Sequence, residues 1–277
     1  MRHARNESVA QFGVPAVVVQ RARPQRFRSF PRPESTRPVQ SVPPPCSSRS
    51  VSPGATCAAG RHAFNKLDSV IVVLATHNAH KVEELRRILG DQLSGLELIG
   101  YDGPEPVEDG DTFEENALIK ARAAAAFTGH PAIADDSGIC VDALDGAPGI
   151  HSARYAGTRD DADNVALLLA NLGKTPNRAA HFACAAALVI PPAVGSIGPD
   201  GPAELAESEE FVVLGVWHGS VLSEPTGRNG FGYDPVFAPI GLSVSAAELL
   251  PDEKNRVSHR AVAFEALVPI MREQLLG

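Results

Sequence analysis

Ala132-Ile133-Ala134-Asp135-Asp136-Ser137-Gly138 is the stretch on which the reading of this chain turns. Its apolar opening reads as a short buried strand, and two adjacent carboxylates stand where that strand runs into a Ser-Gly turn. Neighbouring side chains on an extended strand point to opposite faces, so Asp135 and Asp136 cannot both address one ligand unless the turn rotates one of them. One carboxylate is therefore expected to serve chemistry and the other structure. A buried Asp pair without a cation would suffer mutual repulsion and desolvation, which a divalent metal relieves most simply. Taken alone, Asp-Asp-Ser-Gly is equally an ordinary polar turn.

Upstream, Val70-Ile71-Val72-Val73-Leu74-Ala75 is a continuous apolar run, the pattern of a strand covered on both faces. It leads through Thr76-His77-Asn78-Ala79-His80-Lys81 into a helix with Val82, Leu85 and Leu89 on one face and Gly90 at its end. A strand, a short polar turn and a helix start form an anion site, because the first helical N–H groups lack intrahelical partners. Thr76, Asn78 and Lys81 add a hydroxyl, an amide and a cation there; simple N-capping by Asn78 is the alternative. The turn lacks the glycines of a Walker or dinucleotide fingerprint. Leu96-Glu97-Leu98-Ile99 reads as a second strand, followed by an acidic loop and a capping box, Thr112-Phe113-Glu114-Glu115, that opens an Ala-rich helix to about Thr128. Glu114 and Glu115 suit the helix dipole whatever the function, which leaves Glu108 as the metal partner for Asp136.

Downstream, Gly146-Ala147-Pro148-Gly149 punctuates a loop whose continuation carries Arg154 and Tyr155 among small residues. Residues 160–172 read as a helix closed by Gly173, and 179–190 with 210–221 as paired antiparallel strands, the second ending in Trp217 and His218 with core or edge roles. Phe231-Gly232-Tyr233-Asp234-Pro235 places glycine beside two rings, suited to a flat ligand, with Asp234 held extended by Pro235. Ser258 is a good N-cap for a last helix with Ala261, Phe264, Leu267 and Ile270 on one face. His259 and Arg260 then fall in its first turn, where cations are unfavourable unless an anion or electron-rich group pairs with them.

Composition divides the 277 residues in two. Residues 1–66 carry 11 Lys and Arg against two acids, while 67–277 carry 14 against 31, formal charges of +9 and −17. The first part is rich in Pro, Arg and Ser and is expected to be a disordered extension; a transit-like leader, a basic nucleic-acid-binding arm and an upstream-placed start are other readings. The acidic remainder, expected to be one domain, argues against a nucleic-acid duplex as its main partner. Cys140 and Cys184 lie in apolar segments and read as reduced core residues, which suits a cytoplasmic protein. No apolar run approaches the roughly 20 residues that span a bilayer, so no membrane partner is expected.

Carboxylates for a metal, a helix N-terminus with Lys for phosphates, and aromatics with His and Arg for a base together describe a nucleotide pocket. Over residues 70–277 the chain resembles the inosine triphosphate pyrophosphatase, or Ham1-like, family. The residues that carry the resemblance are Thr76-x-Asn78-x-x-Lys81, Glu108-x-Gly110-x-Thr112-Phe113-x-Glu115-Asn116-Ala117, Ala134 to Gly138, Gly146 to Gly149, Phe231 to Pro235 and Lys254-x-x-x-Ser258-His259-Arg260. The resemblance implies an elongated α/β fold, a mixed sheet with flanking helices and two lobes around a nucleotide groove, commonly a homodimer. It implies Mg²⁺-dependent hydrolysis of ITP, dITP and XTP to the monophosphate and pyrophosphate. Asp136 would be proton acceptor and Mg²⁺ ligand with Glu108; Thr76, His77, Asn78, Ala79, His80, Lys81 and Ser137 would hold the triphosphate. Phe231, Gly232, Tyr233 and Asp234 would frame the base, and Lys254, His259 and Arg260 would contact phosphate and base. A module that binds purine triphosphates without cleaving them is the rival reading.

Overall fold

The computed structural model describes residues 18–21, 69–77, 79–192 and 207–277. Among these, the strands are β1 (Val18–Arg21), β2 (Val70–Leu74), β3 (Leu96–Gly100), β4 (Ala132–Val141), β5 (Ala179–Ile190), β6 (Glu209–Val221) and β7 (Phe237–Pro239). The α-helices are α1 (Ala79–Leu89), α2 (Phe113–Thr128), α3 (Asp161–Leu172), α4 (Pro251–Val257) and α5 (His259–Leu276). The strands form one mixed sheet in the order β1-β6-β5-β4-β2-β3, with β7 also on β6. β2 runs parallel to β3 and β4, whereas β4, β5 and β6 pair antiparallel.

Helices cover both faces of the β2 half. On one, Leu85 and Leu89 of α1 and Phe264, Leu267 and Met271 of α5 pack on Val72, Leu74, Ile133 and Leu188. On the other, Ala117, Ala121, Ala124 and Ala125 of α2 lie against Val73, Ala134, Ala185 and Ala187. Alanine on helix and strand alike brings α2 close to the sheet, so that a polar side chain on its inner stripe reaches the strands. The far half has its own core, where Leu168 and Leu172 of α3 meet Ile139, Val141, Phe182, Trp217 and Phe237. These two packed halves are the two lobes.

Several local expectations change. Ser137 and Gly138 do not turn: β4 continues to Val141, paired with β5 throughout. Gly138 is needed for another reason, since a Cβ there would stand 2.4 Å from the Gly149 carbonyl oxygen and from Ser152 Oγ. It lets the helical turn Gly149–Arg154 lie against the strand. Glu115 completes no true capping box, because its carboxylate accepts from Asp111 N, while Thr112 Oγ1 accepts from Glu115 N. Asp234 opens a short helical turn, Asp234–Val236, instead of an extended segment, because its carboxylate accepts from Phe231 N and folds the chain back. Trp217 and His218 lie within β6, which runs on to Val221.

Within residues 1–66, expected to be disordered, Val18–Arg21 pairs antiparallel with Phe211–Leu214 of β6. That edge of β6 offers unmet backbone groups that any extended segment can satisfy. Cys140 and Cys184 are free thiols, the latter buried; Cys46 and Cys57 lie outside the described residues. Among the described residues no helix is long and apolar enough to cross a membrane.

β6 and α5 touch through Gly215, where an added Cβ would stand 2.4 Å from the His259 carbonyl oxygen and 2.5 Å from Ala263 N. Both are backbone atoms and cannot swing aside. Gly215→Ala is expected to lower stability by about 1–3 kcal/mol in chemical denaturation, the usual cost of overpacking; an unchanged midpoint would contradict the close contact.

Candidate active site

A gap in the sheet builds the site. β2 stops at Leu74, and its pairing with β4 reaches only Ile133. Among the described residues, this edge of β4 is free of a strand partner beyond that point until the Gly149–Arg154 turn covers it at Gly138 and Ile139 and Cys140 bridges to Pro148. Side chains from both faces of β4 can border the cleft this leaves: Asp135 lines it, and Asp136 is bonded to Lys120, which also lines it.

Asp135 points to the α1 and α5 side. Its Oδ2 accepts from Lys81 Nζ at 3.2 Å, Arg260 Nε at 3.2 Å and Arg260 Nη2 at 3.0 Å. Burial alone would push this carboxyl up, but Lys81 and Arg260, with Lys120 further off, outweigh burial and hold it well below the usual carboxylate range. Arg260, only 2% exposed, also donates from Nη1 to Glu84 Oε2 at 2.7 Å and from Nη2 to Ser137 Oγ at 3.1 Å. Its place in the first turn of α5, unfavourable for a cation on helix-dipole grounds, is compensated by these acceptors.

Asp136 points to the α2 side. Lys120 Nζ donates to its Oδ1 at 2.9 Å, and Asn116 Nδ2 lies 3.4 Å from its Oδ2. Burial raises the proton affinity of Asp136; Lys120 opposes that, Glu108 and Asp135 add to it, and the net direction is upward. Lys120 is itself held protonated: burial lowers its pKa, but Asp136, Asp135 and Glu108 carry it above the ordinary lysine value.

Glu108, expected to share a metal with Asp136, accepts from the same Lys120 Nζ at 3.3 Å. An ammonium group thus stands between the two carboxylates. Among the described residues no group of three or more His, Cys, Asp or Glu side chains is arranged to hold a metal ion. Two convergent hard carboxylates nevertheless fit Mg²⁺, which commonly takes one or two protein carboxylates and completes its shell with water and substrate phosphates.

The cleft beside these residues, roughly 250 Å³, is lined by Thr76, Lys81, Glu108, Lys120, Asp135 and Arg159 among others. His77 lies at its rim, with Nδ1 3.0 Å from Glu105 Oε1. Ala79 and His80 supply the first backbone positions of α1, and Asn78 lies outside the described residues.

A second, smaller recess adjoins it, where Ser137, Phe231, Asp234, Lys254 and His259 meet. Of the two rings in the glycine loop, Phe231 is 45% exposed, with Lys254 Nζ 5.1 Å from its centroid. Tyr233 is buried, lines the same recess and donates from its hydroxyl to Ser152 O, which braces the loop. Lys254 donates to Asp234 Oδ2. His259 stacks on Phe182 at 4.7 Å, and its Nδ1 is buried with no hydrogen-bond partner. Burial first, then Arg260 and Lys254, hold this imidazole neutral, well below its ordinary pKa.

Lys120 was legible as a charged residue on the inner stripe of α2, between buried Ala117 and Ala124 at helical spacing, yet its role depends on where α2 meets β4. Glu84, which holds Arg260, and Asp161, whose Oδ2 accepts from Gly232 N at 2.7 Å, carry no such sequence signal.

Asp135→Asn leaves the buried Arg260 with only one of its two carboxylate partners, Glu84, and is expected to cost about 3 kcal/mol at pH 7. The native carboxyl titrates below the unfolded one, so its contribution is complete above the unfolded pKa of about 4 and shrinks as pH falls below it. Denaturation of wild type and variant should therefore differ from pH 7 down to about 4 and converge in stronger acid; a difference independent of pH would contradict the pairing.

The sequence profile of the Ham1 family matches residues 72–270. Curated relatives called dITP/XTP pyrophosphatase include one from Leifsonia xyli subsp. xyli, 56% identical over 206 residues covering 73% of this chain and 96% of the relative. Another, from Streptomyces avermitilis, is 51% identical over 74% of this chain and 98% of its own length. Among solved structures, a HAM1 protein from Coxiella burnetii superposes with a TM-score of 0.62 at 40% identity, covering 74% of this chain and 99% of that one. A nucleoside-triphosphatase / dITP/XTP pyrophosphatase from Mycobacterium abscessus gives 0.55 at 45% identity, covering 73% and 100%. The profile covers most of the chain and agrees with the mixed sheet and its flanking helices: this chain belongs to the Ham1 family.

Proposed function

We propose that this chain hydrolyses deaminated purine nucleoside triphosphates, ITP, dITP and XTP, to the monophosphate and pyrophosphate. The observation that carries the reading is Asp136: a largely buried carboxylate of raised proton affinity, joined through Lys120 to a cation-lined cleft with a smaller recess beside it. The name shared by the relatives, dITP/XTP pyrophosphatase, supports the substrate class.

In this reading Asp136 accepts the proton of the water that attacks the α-phosphorus, a role suited to a carboxylate lifted toward neutral pH. Glu108 and Asp136 would hold Mg²⁺, which would supply charge neutralisation on the phosphates. Lys120 keeps those two carboxylates together and, with Lys81, offsets charge on the departing pyrophosphate. Asp135 is the structural member of the pair, because both cations nearest to it also fix α1 and α5.

Phe231 offers an exposed face for stacking. Inosine and xanthine carry a 6-oxo acceptor where adenine carries an amino donor, so a donor at that edge favours them. Arg260 contributes less than its motif suggests, since four of its five N–H groups serve Asp135, Glu84 and Ser137. The neutral His259, with an unmet ring nitrogen, is the better reader of the base.

The test is pyrophosphate release from ITP, GTP and ATP with Mg²⁺ at mildly alkaline pH. Wild type is expected to prefer ITP, and Asp136→Asn to lose about 100-fold or more in kcat while still binding ITP, the scale of losing a general base. Binding of ITP by wild type with no pyrophosphate formed would replace the enzyme with a nucleotide sensor.

A further inference from the structure

Ala153, Arg154 and Arg159 line the same cleft as Lys81 and Lys120, and the segment 153–159 brings both arginines to it. The other cations of the cleft are engaged. Lys81 pairs with Asp135, Lys120 with Glu108 and Asp136, and His77 with Glu105. No described carboxylate lies in ion-pair range of either arginine; Arg154 makes only a 3.5 Å contact from Nη2 to His151 Nδ1. Both arginines are solvent-exposed.

The backbone that carries them is fixed at several points. Ser152 Oγ accepts from Ile139 N at 3.0 Å, and Ser152 O accepts from the Tyr233 hydroxyl at 2.9 Å. Gly157 N donates to Arg154 O at 2.9 Å, and Ala156 N to Asn164 Oδ1 at 2.7 Å. Arg159 immediately precedes Asp160, whose carboxylate caps α3 by accepting from Ala162 N and Asp163 N. Two guanidinium groups on an anchored backbone, in a cleft whose lysines are already matched by carboxylates, give it cationic capacity that an incoming anion can engage. The carboxylates on the β4 side suit the reacting phosphate; the arginine wall suits the two phosphates that depart.

We infer that Arg154 and Arg159 form the pyrophosphate-binding wall of the cleft, gripping the β- and γ-phosphates of the substrate and holding the leaving group while Asp136 works at the α-phosphorus. This rests on the hydrolytic reading proposed above. Each arginine offers a bidentate fork to phosphate oxygens, and losing one such charge-assisted contact commonly weakens binding by about tenfold or more.

The experiment is calorimetric titration of the full chain with inorganic pyrophosphate plus Mg²⁺, and separately with IMP, for wild type, Arg154→Ala, Arg159→Ala and the double variant. Alongside it, pyrophosphate release from ITP is measured for wild type. Pyrophosphate binding should weaken about tenfold in each single variant and further in the double, with IMP binding within about twofold of wild type. The inference is overturned if wild type does not bind pyrophosphate, if the double variant binds it as wild type does, or if IMP binding falls equally. Pyrophosphate binding that depends on the arginines, in a wild type that cannot cleave ITP, keeps the subsite and rejects the hydrolytic reading. ITP turnover with pyrophosphate binding indifferent to both arginines does the reverse.

Discussion

The contact on which this structure depends is the buried pairing of Arg260 with Asp135. Through one guanidinium it ties the start of α5 to β4, to Ser137 on the same face and, by way of Glu84, to α1. A buried ion pair is a weak source of net stability, because desolvation offsets most of the attraction, but it is intolerant of losing one partner. Its value here is positional. It fixes where α1 begins relative to β4, and hence where Lys81 stands, and it sets the first turn of α5 so that His259 stacks on Phe182 in the lining of the smaller recess.

With Asp135 committed to Arg260 and Lys81, its neighbour is left to the opposite face and a different set of partners. Two adjacent residues of one type therefore acquire opposite proton affinities, one held down by two close cations and the other lifted by burial and nearby acids. That separation is the usual way one site obtains a permanent anion and a proton acceptor from the same chemistry. The early end of β2 makes it useful, since a continuous sheet would have placed the two carboxylates in separate compartments.

The strands at 70–74, 96–100, 179–190 and 209–221, the helix caps at Thr112 and Ser258, and the alternation of Asp135 with Asp136 are all local in origin, so spacing and residue type reveal them. What sequence reasoning missed depends on tertiary placement. Ser137-Gly138 has turn composition, yet the glycine answers to the Gly149–Arg154 segment packed on it. Lys120 reaches Asp136 and Glu108 because α2 lies close to the sheet on alanines, a distance no periodicity reports. Asp161 and Glu84 act on residues 71 and 176 positions away. Tyr233 and Phe231 share one motif but not one role, and only burial separates the brace from the stacking face.

In the proposed reaction Asp136 directs water to the α-phosphorus while the outer phosphates leave together. Hydrolysis of ITP in ¹⁸O-labelled water tests this most directly. One labelled oxygen is expected in IMP and none in pyrophosphate. Label in pyrophosphate, or release of orthophosphate in its place, would put the attack at another phosphorus and contradict the arrangement described for this cleft.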